Sequence, residues 1–260
     1  MNLRAEEISV AFRGIQALSK ASISVEPGIV TTVVGPNGAG KSTLFNCLTG
    51  VVVPDSGSTF LGDREISKLP QFRRAQAGIT RSFQTPRVDL ESTVREAAAL
   101  GAYAQWKPSL VGAVLRLPNV RRREAEVLSM TDQALDKVGL SRLANRRVGE
   151  LSLAHVRLLE VARSLVGQPK FVLLDEPVAG LGLDDRSRLA ETLRSLCVHG
   201  IGVLLIEHNL DFVARVSDSV SVLHRGSVIF SGSPGNFLDS DQVRAAFIGS
   251  KTPTGELSSK

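Results

Sequence analysis

Short runs of apolar residues, many of them β-branched, recur along the chain, and each ends at a polar or glycine-rich segment. The clearest runs cover residues 29–34, 171–174 and 202–206. Runs of this length, bounded by turn residues, are typical of strands buried on both faces of a sheet. Helical stretches separate them, which favours parallel pairing, so the pattern predicts a doubly wound α/β sheet.

Apolar residues at helical spacing follow these runs and predict the helices that cover the sheet. Such helices are predicted over 41–48, 156–166 and 185–198, the last with leucines along one face. Near the C-terminus, two runs over 220–223 and 228–231 flank a polar turn, which predicts a hairpin.

The pattern changes after residue 85, where helical stretches succeed one another without an evident strand. These stretches cover 94–104, 121–130 and 131–139. We therefore predict a helical subdomain, residues 86–156, inserted into a sheet domain formed by residues 1–85 and 157–250. The polar residues 251–260 are predicted to be a disordered tail.

Composition excludes several classes of protein. A chain of 260 residues that is 43% hydrophobic can bury a sizeable core, which excludes disordered chains and disulfide-stapled miniproteins. The two cysteines, Cys47 and Cys197, cannot form a disulfide framework, and without a Cys/His cluster they do not indicate structural zinc. No apolar stretch approaches the roughly 18 residues of a membrane span, and residues 1–10 lack the apolar core of a secretory signal. We therefore expect a cytoplasmic protein.

Net charge excludes fewer classes of protein than composition does. The formal net charge is +5, from 31 basic and 26 acidic residues. This balance fits a nucleotide, a nucleic acid or an anionic membrane surface as partner, and equally ordinary solubility. The basic run 121–123 is followed by Glu124 and Glu126, which predicts a solvated helix face.

One segment carries the strongest chemical signal. It reads Gly35-Pro36-Asn37-Gly38-Ala39-Gly40-Lys41-Ser42, followed by Thr43, and fits the pattern GxxxxGK[ST] between a predicted strand and a predicted helix. In such a loop, backbone N–H groups and the helix N-terminus surround phosphate groups. Lys41 is expected to neutralise the β- and γ-phosphates, and the Ser42 hydroxyl to bind Mg²⁺. The sequence therefore predicts a P-loop, residues 35–43, that binds a nucleoside triphosphate.

A second signal is the strand 171–174, which ends in Asp175 and Glu176. Asp175 at the strand end is expected to order Mg²⁺ and its waters. Glu176, on the opposite pleat, is expected to face the attacking water as a general base.

With these residues the sequence resembles the ATP-binding cassette (ABC) family over almost its whole length. Asp175-Glu176-Pro177 is similar to the family's extended Walker B motif, and Gln84 matches the Q-loop glutamine that contacts Mg²⁺ and relays to the membrane partner. His208 matches the switch histidine that contacts the γ-phosphate, and Phe12 the aromatic residue that stacks on adenine. The resemblance implies catalytic roles for Glu176, His208 and Gln84, and Mg²⁺ ligation by Ser42, Gln84 and Asp175. It also implies a RecA-like P-loop NTPase core with an N-terminal antiparallel β subdomain and an inserted helical subdomain.

Further segments look like the ATPases of branched-chain amino acid importers. They are Gly14-Ile15-Gln16-Ala17-Leu18, the stretch 78–84, Glu207-His208-Asn209 and the ending 246–249, together with a long helical insertion over 103–130. The resemblance implies a subunit that hydrolyses ATP on the cytoplasmic face of the membrane. It further implies a second ATPase subunit, membrane permeases and, indirectly, a periplasmic binding protein as partners. Related systems carry urea, amides or other small polar solutes, and no nucleic acid is expected.

Two motifs depart from the family pattern. The signature loop, usually Leu-Ser-Gly-Gly-Gln, reads Leu151-Ser152-Leu153-Ala154-His155. Ser152 is kept and is expected to contact the nucleotide held by the partner subunit, but the Ala154 methyl is expected to obstruct the approach to phosphate. The following loop has Gly182 where many cassettes have aspartate. These changes suggest the hypothesis of a heterodimer with one slow site.

Three other readings stay open at the level of sequence. One is an exporter ATPase, such as one that moves lipopolysaccharide. Another is a soluble cassette ATPase that acts on nucleic acid or ribosomes, although such proteins usually carry two cassettes. The third is a nucleotide-binding regulatory module without turnover, against which the retained Glu176 and His208 argue.

Overall fold

The structure is a computed structural model that describes residues 1–82, 89–104 and 118–237, together with Ser240 and Val243. The predicted tail, residues 251–260, lies outside the described residues. None of the described helices has an apolar stretch long enough to cross a bilayer.

The described strands are β1 (Leu3–Phe12), β2 (Ile15–Val25), β3 (Val30–Val34), β4 (Ser56–Leu61), β5 (Arg64–Glu65), β6 (Ile79–Arg81), β7 (Phe171–Asp175), β8 (Gly202–Ile206), β9 (Ser219–His224) and β10 (Ser227–Gly232). The described helices are α1 (Lys41–Thr49), α2 (Gln71–Gln76), α3 (Val94–Ala99), α4 (Pro118–Lys137), α5 (Leu153–Leu165), α6 (Leu183–Val198), α7 (Leu210–Val216) and α8 (Pro234–Phe237).

Six strands form the central sheet in the order β10-β9-β3-β8-β7-β6. The neighbours from β9 to β6 run parallel, and only β10 is antiparallel, to β9. Every residue of β3, β7 and β8 is buried, as the unbroken apolar runs predict. Because these strands are parallel, their carboxyl ends meet at one edge of the sheet, which is where ligands bind in open α/β sheets.

Both faces of this sheet are covered, because alternate strand residues point in opposite directions. Val172 and Leu174 of β7 belong to a core with α3 to α7, whereas Phe171 and Leu173 pack with α1 and the second sheet. The second sheet is antiparallel, with the order β2-β1-β4-β5. The predicted α/β core with an N-terminal antiparallel subdomain is confirmed.

The helices between β6 and β7 differ in extent from the prediction. Residues 121–139 were expected to form two helices, but α4 is continuous to Lys137. Thr131, where the break was expected, is buried. Its hydroxyl donates to the Val127 carbonyl at 2.7 Å, so its hydrogen-bonding group is satisfied within the helix. The helix predicted over 94–104 is α-helical only to Ala99 and continues as a 3-10 turn.

One buried cation ties α2 to the helix that follows the P-loop. The Arg74 side chain is fully buried. Its guanidinium donates to the carbonyls of Cys47 (2.6 Å) and Leu48 (2.9 Å) at the end of α1, and to those of Ser67 (2.9 Å) and Leu69 (3.0 Å). Cations are favourable at a helix C-terminus, so this contact anchors α1 from behind.

Candidate functional site

The P-loop follows β3 and is packed too closely for side chains at two of its glycines. A Cβ added at Gly35 would lie 2.1 Å from the Leu223 carbonyl oxygen, and one at Gly40 would lie 2.4 Å from that of Ala17. Gly40 also has φ +103°, a conformation that glycine adopts without strain. The loop is therefore wedged between β9 and β2, and the glycine positions of the motif follow from this packing.

Lys41 lies at the centre of this loop as the first residue of α1. Its side chain is buried, and Nζ donates to the carbonyls of Gly35 (2.7 Å) and Pro36 (2.9 Å). Burial lowers the pKa of Lys41, while the nearby carboxylates of Glu176 and Asp175 oppose this shift. Asn37, Gly38 and Ser42 are exposed around the loop, whereas Ala39 is buried.

Asp175 and Glu176 stand at the carboxyl edge of the sheet, as predicted, but in different backbone conformations. Asp175 is buried and closes β7 opposite Ile206. The sequence suggested that Glu176 lies on the opposite pleat of the strand, and this prediction is wrong. Its φ is +48°, so the chain turns there, and its N–H donates to the Ile206 carbonyl at 2.9 Å. A left-handed conformation in a residue other than glycine costs about 1–3 kcal/mol and is common at functional sites.

His208 comes to this edge from the end of β8. Its Nδ1 lies 3.4 Å from Glu176 Oε1, and about 63% of its side chain is exposed. The structure thus brings together a buried lysine, a buried aspartate, a half-exposed glutamate and an exposed histidine from three segments of the chain. This set can bind phosphate, hold a cation and orient a water molecule.

Magnesium fits this donor set. Mg²⁺ is usually held by one or two protein oxygens together with substrate phosphates and waters. The hydroxyl of Ser42, which follows the P-loop lysine in the chain, and the carboxylate of Asp175, which lies near that lysine, are oxygen donors of that kind. Among the described residues, no group of three or more His, Cys, Asp or Glu forms a metal site without such help.

Of the other predicted nucleotide contacts, Phe12 and Ser152 are among the described residues and Gln84 is not. Phe12 ends β1 at the tip of the first hairpin and is half-exposed, so its ring is available for stacking. Gln84 lies outside the described residues. Ser152 is the N-cap of α5, where its Oγ accepts from the His155 N–H at 3.3 Å and lies 3.2 Å from His155 Nδ1.

The signature loop corrects one sequence-based expectation. Helix α5 begins at Leu153, three residues earlier than predicted, because Ser152 caps it. Ala154 is therefore helical, and it is buried in the core beside Leu158, Leu181 and Leu189. The side chain that stands out from this loop is Leu153, which is half-exposed. This burial argues against the steric obstruction by Ala154 that the sequence suggested.

Gly182 is the N-cap of α6 and has an extended backbone with φ −70°. A Cβ at this position would meet no atom within 4 Å. The structure therefore has room for a side chain at this position, so packing does not explain why glycine stands where many cassettes have aspartate.

Glu207 is a residue to which sequence reasoning gave no role. It is fully buried, and its carboxylate accepts from the backbone N–H groups of Val178 and His208, each at 3.2 Å. The available signal was its position, because an acidic residue directly after a strand as apolar as β8 is unusual in a buried sheet.

A groove lies between the sheet domain and α5. It has a volume of about 260 Å³ and is bordered by the end of α1, by α2, by β6, by the 3-10 turn after α3, and by α5. Its lining residues are Thr49, Gln71, Ala75, Ile79, Thr80, Arg81, Leu100, Gly101, Glu160, Arg163 and Ser164. The groove thus combines apolar and charged groups at the end of β6.

Known proteins share this arrangement. The profile of the ABC transporter family matches residues 18–179. The high-affinity branched-chain amino acid transport ATP-binding protein LivG of Escherichia coli K12 is 35% identical over 243 residues, which are 93% of this chain and 95% of LivG. The corresponding protein BraF of Pseudomonas aeruginosa is 35% identical over 95% of this chain and 97% of BraF.

A solved structure supports the same assignment. The ADP conformation of MJ1267, an ATP-binding cassette of an ABC transporter, superposes with a TM-score of 0.84 at 33% identity, over 96% of this chain and 99% of that one. Such cassettes bind nucleotide and hydrolyse ATP as transporter subunits that pair with membrane permeases. With the P-loop, the Asp175–Glu176 pair and His208 at one sheet edge, this chain belongs to the ABC transporter family as an ATP-binding cassette ATPase.

Proposed function

We propose that this chain powers an importer of branched-chain amino acids or similar small polar solutes. The observation that carries the hydrolytic part is the 3.4 Å approach of His208 Nδ1 to Glu176 Oε1 beside the P-loop lysine. The matches to LivG and BraF cover nearly the whole length of these relatives, and the names of both proteins support the solute class.

The roles of the residues follow from their chemistry. Residues 35–43 surround the triphosphate with backbone N–H groups, Lys41 neutralises its β- and γ-phosphates, and Phe12 stacks on adenine. Ser42, Asp175 and Gln84 hold Mg²⁺, which neutralises charge on the phosphates. Glu176 orients and deprotonates the attacking water, and His208 stabilises the charge that develops on the γ-phosphate.

Transport follows because ATP makes different contacts in the open and closed states of a cassette dimer. Ser152 contacts the nucleotide of a second ATPase subunit, so ATP joins two cassettes by contacts that exist only in the closed dimer. Hydrolysis removes these contacts, and the dimer opens.

The remaining partners are membrane proteins. Permease subunits dock in the groove between α2 and α5, where the exposed residues Leu100 and Gln71 offer apolar and polar contacts. The chain therefore works at the cytoplasmic face of the membrane, and a periplasmic binding protein delivers the solute from the other side.

The substitution Glu176→Gln tests the hydrolytic site. We expect the complex of this chain with its partner subunits to bind Mg·ATP as before, while turnover falls by at least about 100-fold, because the general base is lost. Glu124→Gln, an exposed change on α4, is the control and leaves turnover intact. Wild-type turnover in Glu176→Gln would contradict this assignment.

The solute is tested separately, by uptake of labelled leucine into proteoliposomes that contain the whole transporter and its binding protein. ATP-dependent leucine accumulation, abolished by Glu176→Gln, is the expected result. ATP hydrolysis without accumulation of leucine or another small polar solute would overturn the importer assignment and leave the ATPase assignment intact.

A further inference from the structure

The carboxylate of Glu207 connects the two loops that carry Glu176 and His208. It follows β8, and its own N–H donates to the Val33 carbonyl at 3.3 Å, which fixes its backbone against β3. One carboxylate oxygen accepts from the Val178 N–H, two residues after Glu176, and the other accepts from the His208 N–H. A single buried side chain therefore spans both loops.

Backbone N–H groups and the imidazole of His208 act on this carboxylate. Burial raises the pKa of Glu207, and the N–H groups of Val178, His208 and Asn209 oppose that shift. Val178, its partner in the other loop, is itself buried in the main core. A carboxylate without solvent contact is costly unless hydrogen bonds satisfy it, so the three amides have to stay in place around it.

A second contact makes the junction rigid. The Glu176 N–H donates to the Ile206 carbonyl, one residue before Glu207. The loop of Glu176 is thus held to the end of β8 at two points, by Ile206 through the backbone and by Glu207 through the side chain. Glu176 and His208, whose side chains approach to 3.4 Å, belong to the two loops that these bonds join.

We propose that Glu207 is a positioning residue that sets the distance between Glu176 and His208 and so determines the rate of ATP hydrolysis. The proposal rests on the catalytic roles proposed above for those two residues. Glu207 has no exposed surface, so it acts through the loops that it joins.

The chemistry of the carboxylate makes the proposal specific. An ionised carboxylate only accepts hydrogen bonds and has about four lone-pair sites, enough for three amides. Glutamine has nearly the same shape, but its NH₂ group is a donor and would face one of these N–H groups. Aspartate keeps the acceptor-only carboxylate and is one methylene shorter. If Glu207 served only to fill space, glutamine would be the better replacement, whereas a positioning role favours aspartate.

The test compares Glu207→Gln and Glu207→Asp in the complex of this chain with its partner subunits. We expect kcat to fall by about 10- to 100-fold in Glu207→Gln, since a misplacement of about 1 Å can cost that much, with KM for ATP within about two-fold. Glu207→Asp is expected to retain more activity than Glu207→Gln. Ile8→Ala, a buried change in β1, controls for a general loss of stability.

A second readout does not depend on catalysis. Amide hydrogen exchange in Glu207→Gln is expected to accelerate in peptides that cover 176–182 and 207–210, and not in peptides from β1 or β4. Combining Glu207→Gln with His208→Ala is expected to reduce kcat little more than His208→Ala alone, because the two changes affect the same step.

Wild-type kcat in Glu207→Gln, or more activity in Glu207→Gln than in Glu207→Asp, would overturn the proposal. If Glu207→Gln does not fold, Glu207→Asp decides by itself, because a wild-type kcat then overturns the proposal and a lowered kcat with unchanged KM supports it. The proposed function fails differently, through wild-type turnover in His208→Ala or Glu176→Gln.

Discussion

Replacing Arg74 by methionine is expected to destabilise the protein strongly, although Arg74 touches no nucleotide. Methionine fills similar space but removes the guanidinium that donates to four carbonyl oxygens. Hydrogen bonds to a charged group contribute about 1.5–3 kcal/mol each, so four of them amount to at least about 6 kcal/mol.

Part of this loss is offset by desolvation. Burial lowers the pKa of Arg74 to about 10, which corresponds to about 3 kcal/mol against the charged form. The net loss is therefore at least about 3 kcal/mol, or a fall in the thermal midpoint of about 6–12 °C for a chain of this size.

Calorimetry or urea unfolding of the purified chain measures this difference. Arg73→Met is a matched control, because Arg73 is the adjacent residue of α2 and is exposed, and its side chain contacts Phe72 and Gln76 at the surface. It is expected to change the free energy of unfolding by less than about 0.5 kcal/mol. If Arg74→Met unfolds within about 1 kcal/mol of Arg73→Met, the assignment of a large stabilising role to these four bonds is wrong.

Two further predictions concern the loops that depart from the family pattern. Gly182→Asn adds an N-cap side chain to α6 where nothing obstructs it, so calorimetry should show stabilisation by a few tenths to about 1 kcal/mol, and a lower midpoint would contradict the open geometry. Ala154→Gly removes a buried methyl from a helix and is expected to cost about 1–2 kcal/mol without raising the ATPase rate of the complex. A faster rate in Ala154→Gly would restore the hypothesis of one slow site.

The features that sequence reasoning predicted well are those with a local cause. The P-loop glycines, the buried strands and the acidic end of β7 each leave a mark within a few residues, because a tight turn or a doubly buried strand restricts the residue types it accepts. The role of His208 came from the resemblance to the ABC family and not from a local pattern, and its 3.4 Å approach to Glu176 was not predicted.

The features that were missed depend on partners distant in sequence. Arg73 and Arg74 look alike in the chain, and only the carbonyls of α1 determine which of them is buried. Ala154 was misjudged because the predicted helix began at residue 156, whereas the Ser152 cap brings Ala154 into the helix and turns its methyl inward. Glu207 looked like part of a motif, and its partner Val178 is separated from it by 29 positions.

Helix α5 has a mechanical consequence for the whole transporter. Its cap, Ser152, belongs to the face proposed for the second ATPase, and Arg163, near its other end, lines the groove proposed for the permease. Eleven residues of α-helix separate them by about 16 Å, at 1.5 Å per residue. A hydrogen-bonded helix of that length resists stretching, so a tilt at its groove end moves its Ser152 end as well. Under the proposed function, α5 would therefore couple the permease mechanically to the nucleotide of the second subunit.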